Sequence, residues 1–133
     1  MDELINLKYK DFSSNVLQSF KDIKGETDLH DVTLVCDDGE LSAHKLVLYS
    51  GSSFLRRVLG KSKHPHPLLY IKDVKILHLQ QVIDFLYHGE AVMAQDDLQE
   101  FINIAVDLDI KGLRDRAEAV SYTHLTLPTI LLV

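Results

Sequence analysis

Val32, Thr33, Leu34, Val35 and Cys36 form an apolar, largely β-branched run that leads into Asp38-Gly39, a dipeptide suited to the positive φ angles of a tight hairpin turn. Glu40 to His44 then supplies the return strand. The segments around this hairpin are mostly helical in pattern. Phe12, Val16, Phe20 and Ile23 recur at helical spacing, with Asp11 or Ser13 placed to cap the start and Gly25 to end the helix, which predicts residues 12–23. Lys45 to Tyr49 is a further short helical piece. Ser52 caps a helix carrying Phe54, Leu55, Val58 and Leu59, with Gly60 as its stop.

His64-Pro65-His66-Pro67 is a loop, because each proline fixes its own φ and disfavours the α region in the residue before it. Leu68 to Ile71 reads as a short buried strand. Ile76, Leu79, Val82, Ile83 and Leu86 mark an amphipathic helix ending before Gly89. Another helix carries Leu98, Phe101, Ile102, Ala105 and Leu108, capped by Asp96 or Gln95, and a last one runs from Leu113 to Ala119. The fold class is α+β, a helical cluster with a short three-stranded sheet and no repeating βαβ unit.

One segment does not fit a self-contained unit. Leu4, Ile5, Asn6, Leu7, Lys8 and Tyr9 alternate as a short strand, yet nothing adjacent in sequence pairs with them, so the strand needs a partner from elsewhere.

The chain has 14 basic and 20 acidic residues, a net charge of -6 that repels phosphate backbones and anionic membranes. Direct nucleic-acid contact and membrane association are therefore not expected. Arg56, Arg57, Lys61 and Lys63 are a local basic exception, read as a solvated helix face and loop. Cys36 is the sole cysteine and lies within the apolar run, so it acts as a small hydrophobe and implies a reducing compartment. Met1-Asp2-Glu3 opens no secretory signal, and no apolar run is long enough to span a bilayer.

The residues that could carry chemistry do not assemble into a motif. Seven histidines, among them His44, His64, His66 and His88, lack the close cysteine partners of a structural zinc site, so no metal is expected. Ser50, Ser52 and Ser53 lack a nucleophile-elbow pattern, and Gly51, Gly60 and Gly89 belong to no phosphate- or dinucleotide-binding loop. The expectation is no cofactor and no enzymatic activity.

From Asp31 onward the sequence resembles the BTB/POZ family, in its tramtrack type. The likeness lies in Asp31-Val32-Thr33-Leu34, Ala43-His44-Lys45-Leu46-Val47-Leu48, Ser50 and Phe54, His66-Pro67-Leu68-Leu69-Tyr70, Phe85-Leu86-Tyr87-His88-Gly89-Glu90, Ala94-Gln95-Asp96-Asp97-Leu98 and Lys111-Gly112-Leu113. It spans about Leu4 to Ala119. Lys8, where the type usually has tryptophan, and the bulky Tyr49 depart from it.

The resemblance implies an N-terminal strand swapped across a homodimer, with Leu4, Ile5, Leu7, Tyr9, Phe12, Val16 and Phe20 at the interface. It also implies a charged pocket of Asp31, His44 and Lys45, serving either partner binding or simply an Asp31–Lys45 ion pair that holds the hairpin to the next helix. The function it implies is homo- and heterodimerisation or oligomerisation within a nuclear transcription regulator whose DNA-binding region lies outside this chain. Partners would be copies of itself, related BTB proteins, and corepressors or a cullin. The alternative is a substrate adaptor for a cullin-RING ubiquitin ligase, which a further helical extension after the last BTB helix would mark.

Residues 120–133, from Ser121-Tyr122-Thr123-His124 to Ile130-Leu131-Leu132-Val133, match no element of the family. They resemble a peptide produced when adaptor DNA at the end of an assembled transcript is translated, and are set outside a domain of residues 1–119. The alternative is a native apolar segment that adds a strand.

Overall fold

The computed structural model describes residues 3–113, 121–123 and 130–132. Its main sheet is built on the hairpin: β1 (Val32–Cys36) pairs antiparallel with β2 (Gly39–Ala43), from Val32 opposite Ala43 to Cys36 opposite Gly39. This register leaves a two-residue turn at Asp37-Asp38 rather than at Asp38-Gly39. None of Asp37, Asp38 and Gly39 has a positive φ, so the dipeptide does not play the role expected of it. What Gly39 supplies is room, since a Cβ there would lie 3.1 Å from Cβ and Cγ1 of Ile76.

Two helices, α2 (Lys45–Gly51) and α3 (Ser53–Lys61), carry the chain across to β3 (Leu68–Tyr70), which lies parallel to β1 on its other side. The sheet order is β2-β1-β3. Alternation on β1 puts Val32, Leu34 and Cys36 into the core. β3 is a half-exposed edge strand rather than a buried one, with only Leu69 turned partly inward.

α4 (Ile76–His88) contributes Leu79, Val82, Ile83 and Tyr87 to that core, and α5 (Leu98–Asp107), entered through a 3-10 turn at Gln95–Asp97, contributes Phe101, Ile102, Ile104 and Ala105. Gly89 ends α4 as expected, in the left-handed region at φ 76°, its N–H bonding to Phe85 O at 2.8 Å. Gly60 does not end α3, which runs through it to Lys61. Each fully buried Leu, Ile or Val is worth roughly 1.5–3 kcal/mol, and the cluster extends to Leu108, Ile110 and Leu113.

The helix expected from Leu113 to Ala119 lies outside the described residues beyond its first position. In the tail, β4 (Ser121–Thr123) pairs antiparallel with β5 (Ile130–Leu132) as a ribbon separate from the main sheet. No helix among the described residues is long and apolar enough to cross a membrane.

Candidate interaction surface

α1 (Phe12–Ile23) is the only α-helix among the described residues with no buried residue. Its apolar stripe is longer than the core beneath it. Phe20 and Ile23 pack against the core, while Phe12 and Val16 at the other end stay exposed. Ahead of the helix, residues 3–9 adopt no regular structure, and Leu4, Ile5 and Leu7 are 99%, 86% and 93% exposed. Tyr9 meets Phe12 edge-to-face, with ring centroids 6.3 Å apart. Of the seven residues expected at an interface, six thus lie on a continuous stretch of exposed chain; Phe20 is shared with the subunit's own core.

Leu17, 64% exposed and three residues before Phe20, widens the same surface beside the i, i+4 run of Phe12, Val16 and Phe20. A second exposed apolar segment lies beyond α4. Residues 90–94 join neither sheet, and their exposure alternates, with Ala91 and Met93 half-buried against the core and Val92 76% exposed. This is the pattern of an edge strand with one face packed and its backbone edge open.

The three residues of the charged pocket adjoin one another, but the two charges take separate partners. Asp31 Oδ1 accepts the backbone N–H of Lys45 at 2.7 Å, capping the first turn of α2 from the neighbouring strand. Lys45 Nζ instead donates to the carbonyls of His64 and Pro65, at 3.2 and 3.1 Å, and pins the proline loop. The direct Asp31–Lys45 ion pair, one of the two alternatives the resemblance leaves for this pocket, is not formed. His66 completes that clamp through Nε2 to Thr33 Oγ1 at 2.8 Å, and Thr33 N donates to Pro67 O at 3.1 Å, which delivers β3 to its place beside β1.

His44 is buried. The Tyr87 hydroxyl oxygen accepts its backbone N–H at 3.0 Å and shares a 2.5 Å hydrogen bond with its Nδ1. The ring of His30 stands edge-to-face at 4.6 Å, and no partner at Nε2 meets hydrogen-bond geometry. Burial, and then the neighbouring His30, push the His44 pKa below its ordinary value, against weaker opposite pulls from the Glu26 backbone and Asp31. Burial likewise pushes Tyr87 up, and it raises the Cys36 thiol, which leaves that sulfur a packed hydrophobe.

The BTB/POZ domain profile matches residues 20–125. The chain belongs to the BTB/POZ family. It is 34% identical over 119 residues to the longitudinals lacking protein-like of Drosophila melanogaster, covering 90% of this chain and 94% of that protein. It is 38% identical over 109 residues to the Drosophila melanogaster protein abrupt, covering 82% of this chain but 12% of abrupt. Among solved structures, the BTB domain of human gigaxonin superposes with a TM-score of 0.69 at 16% identity, covering 86% of this chain and 95% of that one. This BTB domain is of the tramtrack type, and BTB domains of this type are interaction modules. No group of three or more metal-ligating side chains gathers among the described residues of the domain.

Two contributors to this BTB domain carry no local signal in the sequence, and a third does more than its signal shows. Ser52 is the cap that its place ahead of α3 predicts: its Oγ accepts Leu55 N–H at 3.0 Å. It also donates to Leu108 O at 2.5 Å, tying α3 to the end of α5. Tyr87 and His30 complete the His44 cluster, yet they stand 43 and 14 positions from it in sequence. Neither gives a local signal.

Proposed function

We propose that this BTB domain is a self-association module, a homodimer or larger assembly that also pairs with related BTB chains, within a nuclear transcription regulator whose DNA contacts are made elsewhere in the protein. The observation that carries this reading is the run of exposed apolar side chains from Leu4 to Leu17, which no element among the described residues covers. A soluble monomer rarely exposes so continuous an apolar surface. The opening segment crosses to the partner and pairs with residues 90–94, the open edge described above. That pairing satisfies two unpaired backbone edges together. Phe12, Val16 and Leu17 of the two subunits pack against each other beside it.

The domain proper is residues 1–119, with 120–133 outside it, although the profile match reaches residue 125. Light scattering at micromolar concentration tests both points. The expected result is the mass of a dimer or larger for the full chain, unchanged when residues 120–133 are removed. A stable monomer would end the self-association reading, and assembly that disappears with the tail would move the interface there.

A further inference from the structure

Arg56, Arg57 and Lys61 lie on the exposed side of α3, opposite the buried Leu55 and Leu59, and Lys63 follows in the loop. At roughly 100° per residue, positions 53, 56, 57, 60 and 61 fall within about 140° of arc, so the cations frame Ser53 and Gly60 on a single face. Gly60 has nothing within 4 Å of where a Cβ would stand, which leaves a notch between the charged side chains.

Both guanidiniums rest on aromatic rings: Arg56 lies over Tyr49, 4.6 Å from the ring centre, and Arg57 over Phe54 at 5.7 Å. A ring beneath a guanidinium restricts its motion, which lowers the entropy lost when its N–H groups bind a carboxylate. None of the four cations forms an ion pair among the described residues.

We propose that this face of α3 is a docking surface for a short acidic peptide segment, rich in Asp and Glu, of a partner protein. Carboxylates meet the two stacked guanidiniums in bidentate fashion, and Lys61 and Lys63 supply further charge along the same track. Charge complementarity selects a peptide over a nucleic acid. Without these four residues the chain carries 10 basic against 20 acidic side chains, so a polyanion reaching beyond the patch meets repulsion. The patch extends roughly 12–15 Å along the helix end and loop, about four residues of extended peptide.

The test uses fluorescein-labelled hexaglutamate and the full chain, read by anisotropy in low salt. Saturable binding is expected, weakened about tenfold by the double substitution Arg56→Gln and Arg57→Gln and by salt near the physiological range. The substituted side chains are exposed, and unchanged circular dichroism checks the fold; Lys61→Gln with Lys63→Gln, made separately, should weaken binding in the same direction. Absence of saturable hexaglutamate binding would overturn the proposal. So would equal affinity in both double variants, or tighter binding of a labelled hexathymidylate oligonucleotide than of the peptide.

Discussion

His44 and Asp31 show how single side chains in this domain act through what they are paired with. With its folded pKa lowered, His44 binds a proton less readily in the native state than in the unfolded chain. Its contribution is therefore fully present above the ordinary histidine pKa of about 6.5 and is lost as pH falls through that value toward the lower folded one. Urea midpoints should fall between neutral pH and about pH 5.5, with a slope of up to roughly 1.4 kcal/mol per pH unit from this group. Facing His44 among the described residues are His30, Tyr87, the backbone of Glu26 and, at longer range, Asp31. In His44→Gln the pH dependence should flatten even if overall stability drops, and an unaltered slope would assign the acid sensitivity to other groups. For Asp31 the geometry predicts an asymmetry. Asp31→Ala strips the cap from Lys45 N and should cost about 1 kcal/mol, whereas Lys45→Met removes two exposed contacts and should cost less than about 0.5 kcal/mol. Equal losses in denaturant titrations would indicate that the two side chains act as a pair after all.

At the level of elements, the sequence was most legible where one local rule sufficed. The apolar period of α4 and its Gly89 stop, the Ser52 cap, and the β-branched run of β1 all follow from spacing and residue type. It was less legible where two parts of the chain compete for one residue. The turn moved to Asp37-Asp38 because Gly39 is needed under Ile76, a contact 37 positions away. α3 continues through Gly60 to Lys61 and is capped by Ser62, two residues beyond the first available glycine, with the Ser62 N–H bonded to Leu59 O. The stripe Phe12, Val16, Phe20, Ile23 has perfect helical spacing, but spacing cannot say that half of it has no core beneath it. The opening segment poses the same question in sharper form. A chain beginning at Lys10 should keep its helical circular dichroism, because Leu4, Ile5 and Leu7 support nothing within the subunit. Its assembly should weaken, since the open edge at residues 90–94 loses the strand that would complete it. Dissociation constants that agree within error for the two chains would show that the segment does not cross between subunits.

Across the whole molecule, folding and association should be one process if the exposed surface of α1 and the opening segment is an interface. The core fills the space between the sheet and helices α2 to α5, and α1 lies outside it, held through Phe20, Ile23 and the Lys24–Asp84 ion pair with α4. An isolated subunit would thus expose an apolar helix face on one side of an otherwise closed core. Pairing removes that surface from water, and by mass action the paired state gains stability as protein concentration rises. For two copies of 133 residues, unfolding enthalpy is roughly 0.7 kcal/mol per residue near 60 °C. A tenfold increase in concentration should therefore raise Tm by about 3 °C if unfolding and dissociation coincide. Scanning calorimetry over a hundredfold concentration range would measure this directly. Val16→Asp, a substitution on the exposed side of α1, should lower Tm and abolish its concentration dependence together, because a charge there opposes pairing without disturbing the core. A Tm independent of concentration in the unsubstituted chain, coupled to a dimeric mass, would mean that unfolding does not release the subunits, so that folding and association are separate processes.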